Sequence, residues 1–289
     1  MFDDIVKHRV ELEKLKNGIA SKVIKTFAET YPTLKPYLLD ISTANQESVI
    51  AQIMAQLDQR MGLIQTDLSS QAVDVLKYES QFQAALLAKF SVPGSFQSAT
   101  VGEGLAQTLV FNSHMAGDLF NDAWRKIDTS LKMEMASKIR LGVVNGLTGN
   151  QVAAEVKDKF IAFSDNQLSS LSRTLIQNSV NLGAEETYKS NDIEYIQYCA
   201  ILDSRTTQIC RNLNGKIFKT GEGPRPPQHY NCRSFTIPVD SPDGIKTDAT
   251  YNDFYERQDA KEGLSSLQKD RFETNQKTSL DTLKNKLGE

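Results

Sequence analysis

Residues 201–235, ILDSRTTQICRNLNGKIFKTGEGPRPPQHYNCRSF, hold Cys210, His229 and Cys232, in a chain with only three cysteines and three histidines. The same stretch contains GEGPRPPQ, with three prolines and two glycines in eight residues, which reads as loop. A segment so poor in large apolar side chains has little interior to fold around and needs a staple. The spacing C-x18-H-x2-C offers one: His229 and Cys232 reach a single ion from one tight turn, and Cys210 reaches it from the neighbouring segment. Zinc takes such donors at about 2.0–2.3 Å and calls for a fourth, for which Asp203 is the nearest candidate. Two other readings stay open: a disulfide between Cys210 and Cys232, or two buried thiols beside a histidine bonded to backbone. Cys199 falls inside a predicted strand and reads as a core thiol.

The rest of the chain predicts an α+β fold. Ile5, Leu12, Leu15, Ile19, Val23 and Phe27 recur at helical spacing. YPTLKP predicts a break through Pro32 and Pro36. Thr43 with Gln46 has the pattern of a capping box, followed by an apolar stripe from Val49 to Phe90 that stops at Pro93-Gly94. Residues 95–112 read as a loop with a short extended piece. Helices are predicted around Met115–Ile127 and around Leu131–Val143. Thr148 with Gln151, and Ser164 with Gln167, predict two further helix starts. Beyond residue 190 the character changes, and IEYIQYCAIL, GKIFKT and SFTIPV predict three strands. The organisation expected is a helical body (1–147), helices leading into the module (148–190), a β-rich Cys/His module (191–242) and a polar C-terminal arm (243–289), with a short helix near Tyr251–Gln258.

Charge and motifs restrict the function. The formal net charge is -3, so any nucleic-acid contact must be local. Residues 196–239 carry six cationic side chains, Arg205, Arg211, Lys216, Lys219, Arg225 and Arg233, against Asp203 and Glu222. Such a patch suits a phosphate backbone or an acidic protein surface. For Asp203 and Arg205 the first reading is structural, an ion pair fixing the turn LDSRT. No run of about 18 apolar residues predicts a membrane span, and the N-terminus lacks the apolar core of a secretory signal. Nor is there a phosphate-binding glycine loop, an H-E-x-x-H helix or a G-x-S-x-G elbow. His8 and His114 sit in predicted amphipathic helices, where a solvated or half-buried ring is expected rather than a base. Asp118 and Asp122 read as a surface pair. Cys210 with His229 imitates a thiol nucleophile and its base, with no orienting third group. A non-enzymatic protein is the expectation.

In order along the chain, Asp203, Arg205, Thr206, Cys210, Gly215, Lys216, Phe218, Pro226, Pro227, His229, Cys232 and Arg233 trace a signature. It resembles that of the Mu F-like minor head proteins of tailed bacteriophages, also called head morphogenesis proteins. LTGNQVAAEVKDKF and SRTLIQNSVNLGAEETY are similar to the helices preceding that module, and TYNDFYERQ to a segment following it. Departures are Tyr230 for a common proline, Ser234 for a second cysteine and Leu175 for a glutamate. The resemblance implies a structural minor head protein in the virion, inside the head at the portal vertex, passing through the host cytoplasm during assembly. Implied partners are the portal protein, scaffold or major capsid protein and phage DNA, with a role in head morphogenesis and in DNA packaging or ejection. The alternative is a nucleic-acid-binding protein built on a zinc module.

Overall fold

A computed structural model describes residues 2–90 and 99–243. It is an α+β structure: long helices and a small antiparallel sheet. The expected helix near Tyr251–Gln258 and nearly all of the polar arm lie outside the described residues.

Helix α1 (Phe2–Ala28) follows the predicted stripe, with Ile5, Leu12, Ile19, Val23 and Phe27 buried. Leu15 departs from it and is exposed, whereas Lys16 is buried. A break does fall at this point, since α1 ends at Ala28, but YPTLKP is itself helical and forms α2 (Tyr31–Leu39) with Pro36 inside it. Pro32 lies in the first turn, where its missing N–H costs nothing, and Leu34 and Leu38 are fully buried. The turn before α3 (Gln46–Phe90) is held by Asn45, whose Oδ1 accepts from the Ser42 N–H at 2.8 Å, rather than by the Thr43–Gln46 box. The stripe from Val49 onward forms one 45-residue helix.

Residues 103–112, expected as loop, form α4 (Glu103–Asn112). Its register is set by packing: Ala106 and Val110 are buried one turn apart, and the Val101 N–H bonds to Ser80 Oγ at 2.9 Å. The two predicted helices from Met115 to Val143 are a single α5 (Phe120–Val144). Met115 and Leu119 precede it in a tight bridge, Met115 pairing with Asp118. Helix α6 (Gly149–Phe163) opens with the predicted Thr148–Gln151 capping box. Ser164 starts no new helix. It is helical itself (φ -62°, ψ -44°) and begins a π-helical turn, Ser164–Leu168, that joins α6 to α7 (Ser169–Ser190).

Helix α7 lies along α3 at close range, and an added Cβ at Gly183 would meet the Leu76 carbonyl oxygen at 2.4 Å. It is followed by β1 (Tyr195–Cys199), α8 (Gln208–Leu213), β2 (Ile217–Lys219) and β3 (Phe235–Val239). The sheet order is β2-β1-β3, all antiparallel, with Gln197 opposite both Ile217 and Ile237. Ile237 and Val239 pack with Ile5 of α1 and Leu86 of α3, and Ile196 packs with Leu87, Ala184 and Tyr188. The sheet is thereby clamped onto the helices.

A buried polar group reinforces that clamp. Glu79 of α3 is fully buried and accepts from Arg9 at 3.0 Å, from Gln83 at 2.7 Å and from His8 at 2.6 Å. The His8 ring stacks on Phe82 at 3.4 Å, so it is a buried structural histidine, not the solvated or half-buried one expected. The Arg9 guanidinium also lies over the Phe235 ring at 4.6 Å, linking α1 and α3 to β3.

Candidate metal centre

Two segments deliver the donors. Cys210 sits in α8, while His229 and Cys232 bracket a turn in which the Cys232 N–H bonds the His229 carbonyl at 3.2 Å. That turn hangs on α7. The Asn231 N–H bonds Thr174 Oγ1 at 2.9 Å, and Asn231 Nδ2 bonds Ser170 Oγ at 2.8 Å. Arg225 Nη1 bonds Asn178 Oδ1 at 2.7 Å, and Gln177 and Asn181 donate to the Ser234 carbonyl at 3.0 and 3.3 Å. Ser170, Thr174 and Asn178 recur every four residues, so α7 presents a polar row that positions the loop backbone.

The donor atoms of Cys210, His229 and Cys232 all lie within 4.8 Å of one another. Both cysteines are buried free thiols, and their Sγ atoms are 3.7 Å apart. A disulfide requires about 2.05 Å. Two sulfurs on one tetrahedral zinc, each at about 2.3 Å, lie about 3.8 Å apart, so the spacing fits shared ligation. His229 Nε2 is 3.2 Å from Cys210 Sγ. Its Nδ1 lies 2.8 Å from the Tyr230 carbonyl, which can only accept. That bond fixes the tautomer and leaves the Nε2 lone pair facing the sulfurs, the usual outer support of a metal-binding imidazole. Cys210 is drawn toward the thiolate, first by the hydrogen bond from Cys232, against burial, and then by Ser234 and Tyr198. The Cys232 thiol is pushed up by the same contact and by burial. The Cys-His-Cys set therefore fits a metal ion of soft-donor preference, and zinc suits the donors.

The remaining predicted site residues fall elsewhere. Asp203 is outside the cluster. Its Oδ1 accepts from Arg233 Nη2 at 2.5 Å and from the Arg205 N–H at 2.9 Å. Burial pushes its carboxyl up, but Arg233 and the Arg205 amide outweigh that and hold it down at about 2. The guanidinium of Arg205 is only 3.6 Å from Asp203 and is 76% exposed, so Arg233 is the main partner, thirty residues away in sequence. Arg225 faces inward, bonding Asn178, the His114 carbonyl at 2.8 Å and Glu185 at 3.3 Å. Arg211 donates to the Thr206 carbonyl at 2.9 Å. Lys216 and Lys219 are exposed. The cationic count of the sequence thus does not survive as one outward patch.

Cys199 ends β1, apart from the cluster, with its thiol pushed up by burial. His114 lies in the loop before α5 rather than in a helix. Asp118 and Asp122 are surface acids, paired with Lys126 and Arg125. The sequence reading missed Lys16, which is buried and bonds Glu13 and Gln177. It also missed the row Ser170, Thr174, Asn178, whose four-residue spacing was the available signal. No helix among the described residues is long and apolar enough to cross a membrane.

Residues 133–237, from α5 to β3, match the family described as Phage Mu protein F like protein. The match starts inside α5, upstream of the helices that carry the resemblance in sequence, and stops before TYNDFYERQ. No curated protein and no solved structure matches the chain.

Proposed function

We propose that this chain is a phage Mu F-like head morphogenesis protein, a minor structural component of the virion head that docks at the portal vertex; the match of residues 133–237 to that family supports the reading. The observation that carries the reading is that the family match spans α7 and the whole Cys/His turn that α7 supports. In this reading Cys210, His229 and Cys232 hold zinc as a staple, and the ion contributes folding free energy to a loop-rich segment. The residues around it act as structure: Tyr198 and Ser234 surround the sulfur of Cys210, and Thr174 fixes the turn. A docking role, without catalysis, accounts for thiols that are buried and closely paired. The alternative of a DNA-binding zinc module finds less support, because Arg225 and Arg233 are engaged inside the protein.

Two measurements test the proposal. Elemental analysis of the purified chain is expected to give about one zinc per molecule, and co-purification with the portal protein is expected to retain the chain on portal rings. Metal-free protein that keeps the 200–234 segment equally resistant to protease would remove the staple. Salt-sensitive binding of naked DNA, with none to portal, would reverse the functional order.

A further inference from the structure

A cleft of ≈ 650 Å³ opens between α1, α7 and the His229 turn. Its size is within the range of about 300–1,000 Å³ typical of ligand sites. Its lining carries four cationic side chains, Lys16, Arg173, Arg205 and Arg233, against one acid, Glu13, in a chain whose net charge is -3. Two of the four are already matched: Lys16 by Glu13 and Arg233 by Asp203. Among the described residues, Arg173 bonds the neutral Asn17 at 3.1 Å, and the Arg205 guanidinium has only a 3.6 Å contact to Asp203. The cleft therefore keeps an excess of positive charge on two guanidiniums contributed by different elements. A small recess continues from it, past Arg205, Asn231 and Arg233, to Cys210 and His229. Among the described residues only three donors converge there, whereas a closed zinc site takes four.

We propose that this cleft is a carboxylate-binding site that receives an acidic side chain from a partner polypeptide, held between Arg173 and Arg205 at the entrance to the Cys-His-Cys centre. Guanidiniums bind carboxylates as planar forks, and a concave, partly desolvated setting strengthens the pair. Concavity also separates this site from nucleic-acid recognition. A phosphate backbone is tracked by rows of outward cations, and the exposed lysines, Lys216 and Lys219, do not line the cleft. The half of the proposal that concerns the metal rests on the zinc reading above; the charge complementarity does not.

The test uses the full chain, metal-free and loaded with Co2+ as a coloured substitute for zinc. The probes are a blocked tetraglutamate peptide and, separately, inorganic phosphate, with binding followed by calorimetry and by the visible cobalt bands. The expected result is peptide binding that weakens about tenfold in Arg173→Gln and in Arg205→Gln, since each removes one charge-assisted contact. Lys216→Gln with Lys219→Gln is expected to leave it unchanged, and the cobalt bands are expected to shift as the peptide saturates. Peptide binding indifferent to both arginines overturns the proposal, as does phosphate binding as tight as peptide binding. Cobalt uptake without any peptide binding also overturns it while leaving the metal reading intact. Failure of cobalt uptake defeats the metal reading, and calorimetry on the metal-free chain then still decides the cleft.

Discussion

Replacing Glu79 tests whether the buried charge group ties the helical body to the sheet. The Glu79 carboxylate is fully buried and receives Arg9, His8 and Gln83, while Arg9 is 7% exposed. In Glu79→Leu the Arg9 charge stays inside the protein with no counter-ion, and two of its nitrogens, Nε and Nη1, already lack acceptors among the described residues. Breaking a buried pair from one side costs about 3–5 kcal/mol. That is a large fraction of the roughly 5–15 kcal/mol by which a domain is stable. At about 2–3 °C per kcal/mol, the melting temperature is expected to fall by roughly 6–15 °C. Adding Arg9→Met removes the stranded charge and fills the space, so the double variant is expected to lie within about 2 kcal/mol of the parent. Urea unfolding of both singles and the double closes the cycle. Strictly additive losses would refute the reasoning, because they would mean that Arg9 and Glu79 stabilise independently. Acidification gives a second readout. Burial pushes the Glu79 carboxyl up, but the charge of Arg9 and the hydrogen bond of His8 bring it below its ordinary value. Its contribution is therefore complete above the unfolded value of about 4.3 and is lost as pH falls toward the lower folded value.

Two smaller perturbations address the site. Thr174→Val keeps shape but leaves the Asn231 N–H without its 2.9 Å acceptor, so a loss of about 1–2 kcal/mol is expected and, on the proposed zinc reading, faster metal release to a colorimetric chelator. Unchanged release would mean that α7 does not position the turn. Asp203 sits at about 2 through Arg233 and the Arg205 amide, so its stabilisation is present above about pH 4 and fades as pH falls toward 2. In Asp203→Asn the near-ultraviolet circular dichroism is expected to lose that part of its acid sensitivity, and a profile superimposable on the parent's would count against the pairing.

How much of this was legible in sequence depends on whether the signal was local. The stripes of α1 and α3, the Thr148–Gln151 box and the three strands follow from periodicity and short-range hydrogen bonds, and they are found where expected. The convergence of Cys210, His229 and Cys232 was readable because a loop with so little interior leaves few other ways to stay folded. Helix α4 was not readable. Gly102, Gly104 and a polar middle hide its two buried positions, and its register comes from α3 through Ser80. Ser164 carries a cap residue's identity but meets a continuous helix, where its hydroxyl donates back to the Ile161 carbonyl at 2.8 Å. The burial of Lys16 went unseen, and Arg233 was counted in a cationic patch, because Gln177 and Asp203, which engage them, are distant in sequence.

The placement of α7 connects these facts. One face of that helix meets α3 so closely that Gly183 has no room for a side chain, and its polar row holds the turn that bears His229 and Cys232. His229 and Cys232 are thus referenced to the helical core through the hydrogen bonds between α7 and their turn rather than through a flexible linker. A turn held this way loses little conformational entropy when a partner binds, and the saving appears as affinity. Arg173 lies on the same helix, one position before Thr174, and Lys16 reaches α7 through Gln177. Hence a ligand entering the cleft would press on a surface whose two walls, α1 and α7, are already packed together. On this argument the polar residues of α7 serve preorganisation. Substituting them should then weaken partner binding by more than their distance from the cleft suggests, while leaving the helical content of the chain unchanged.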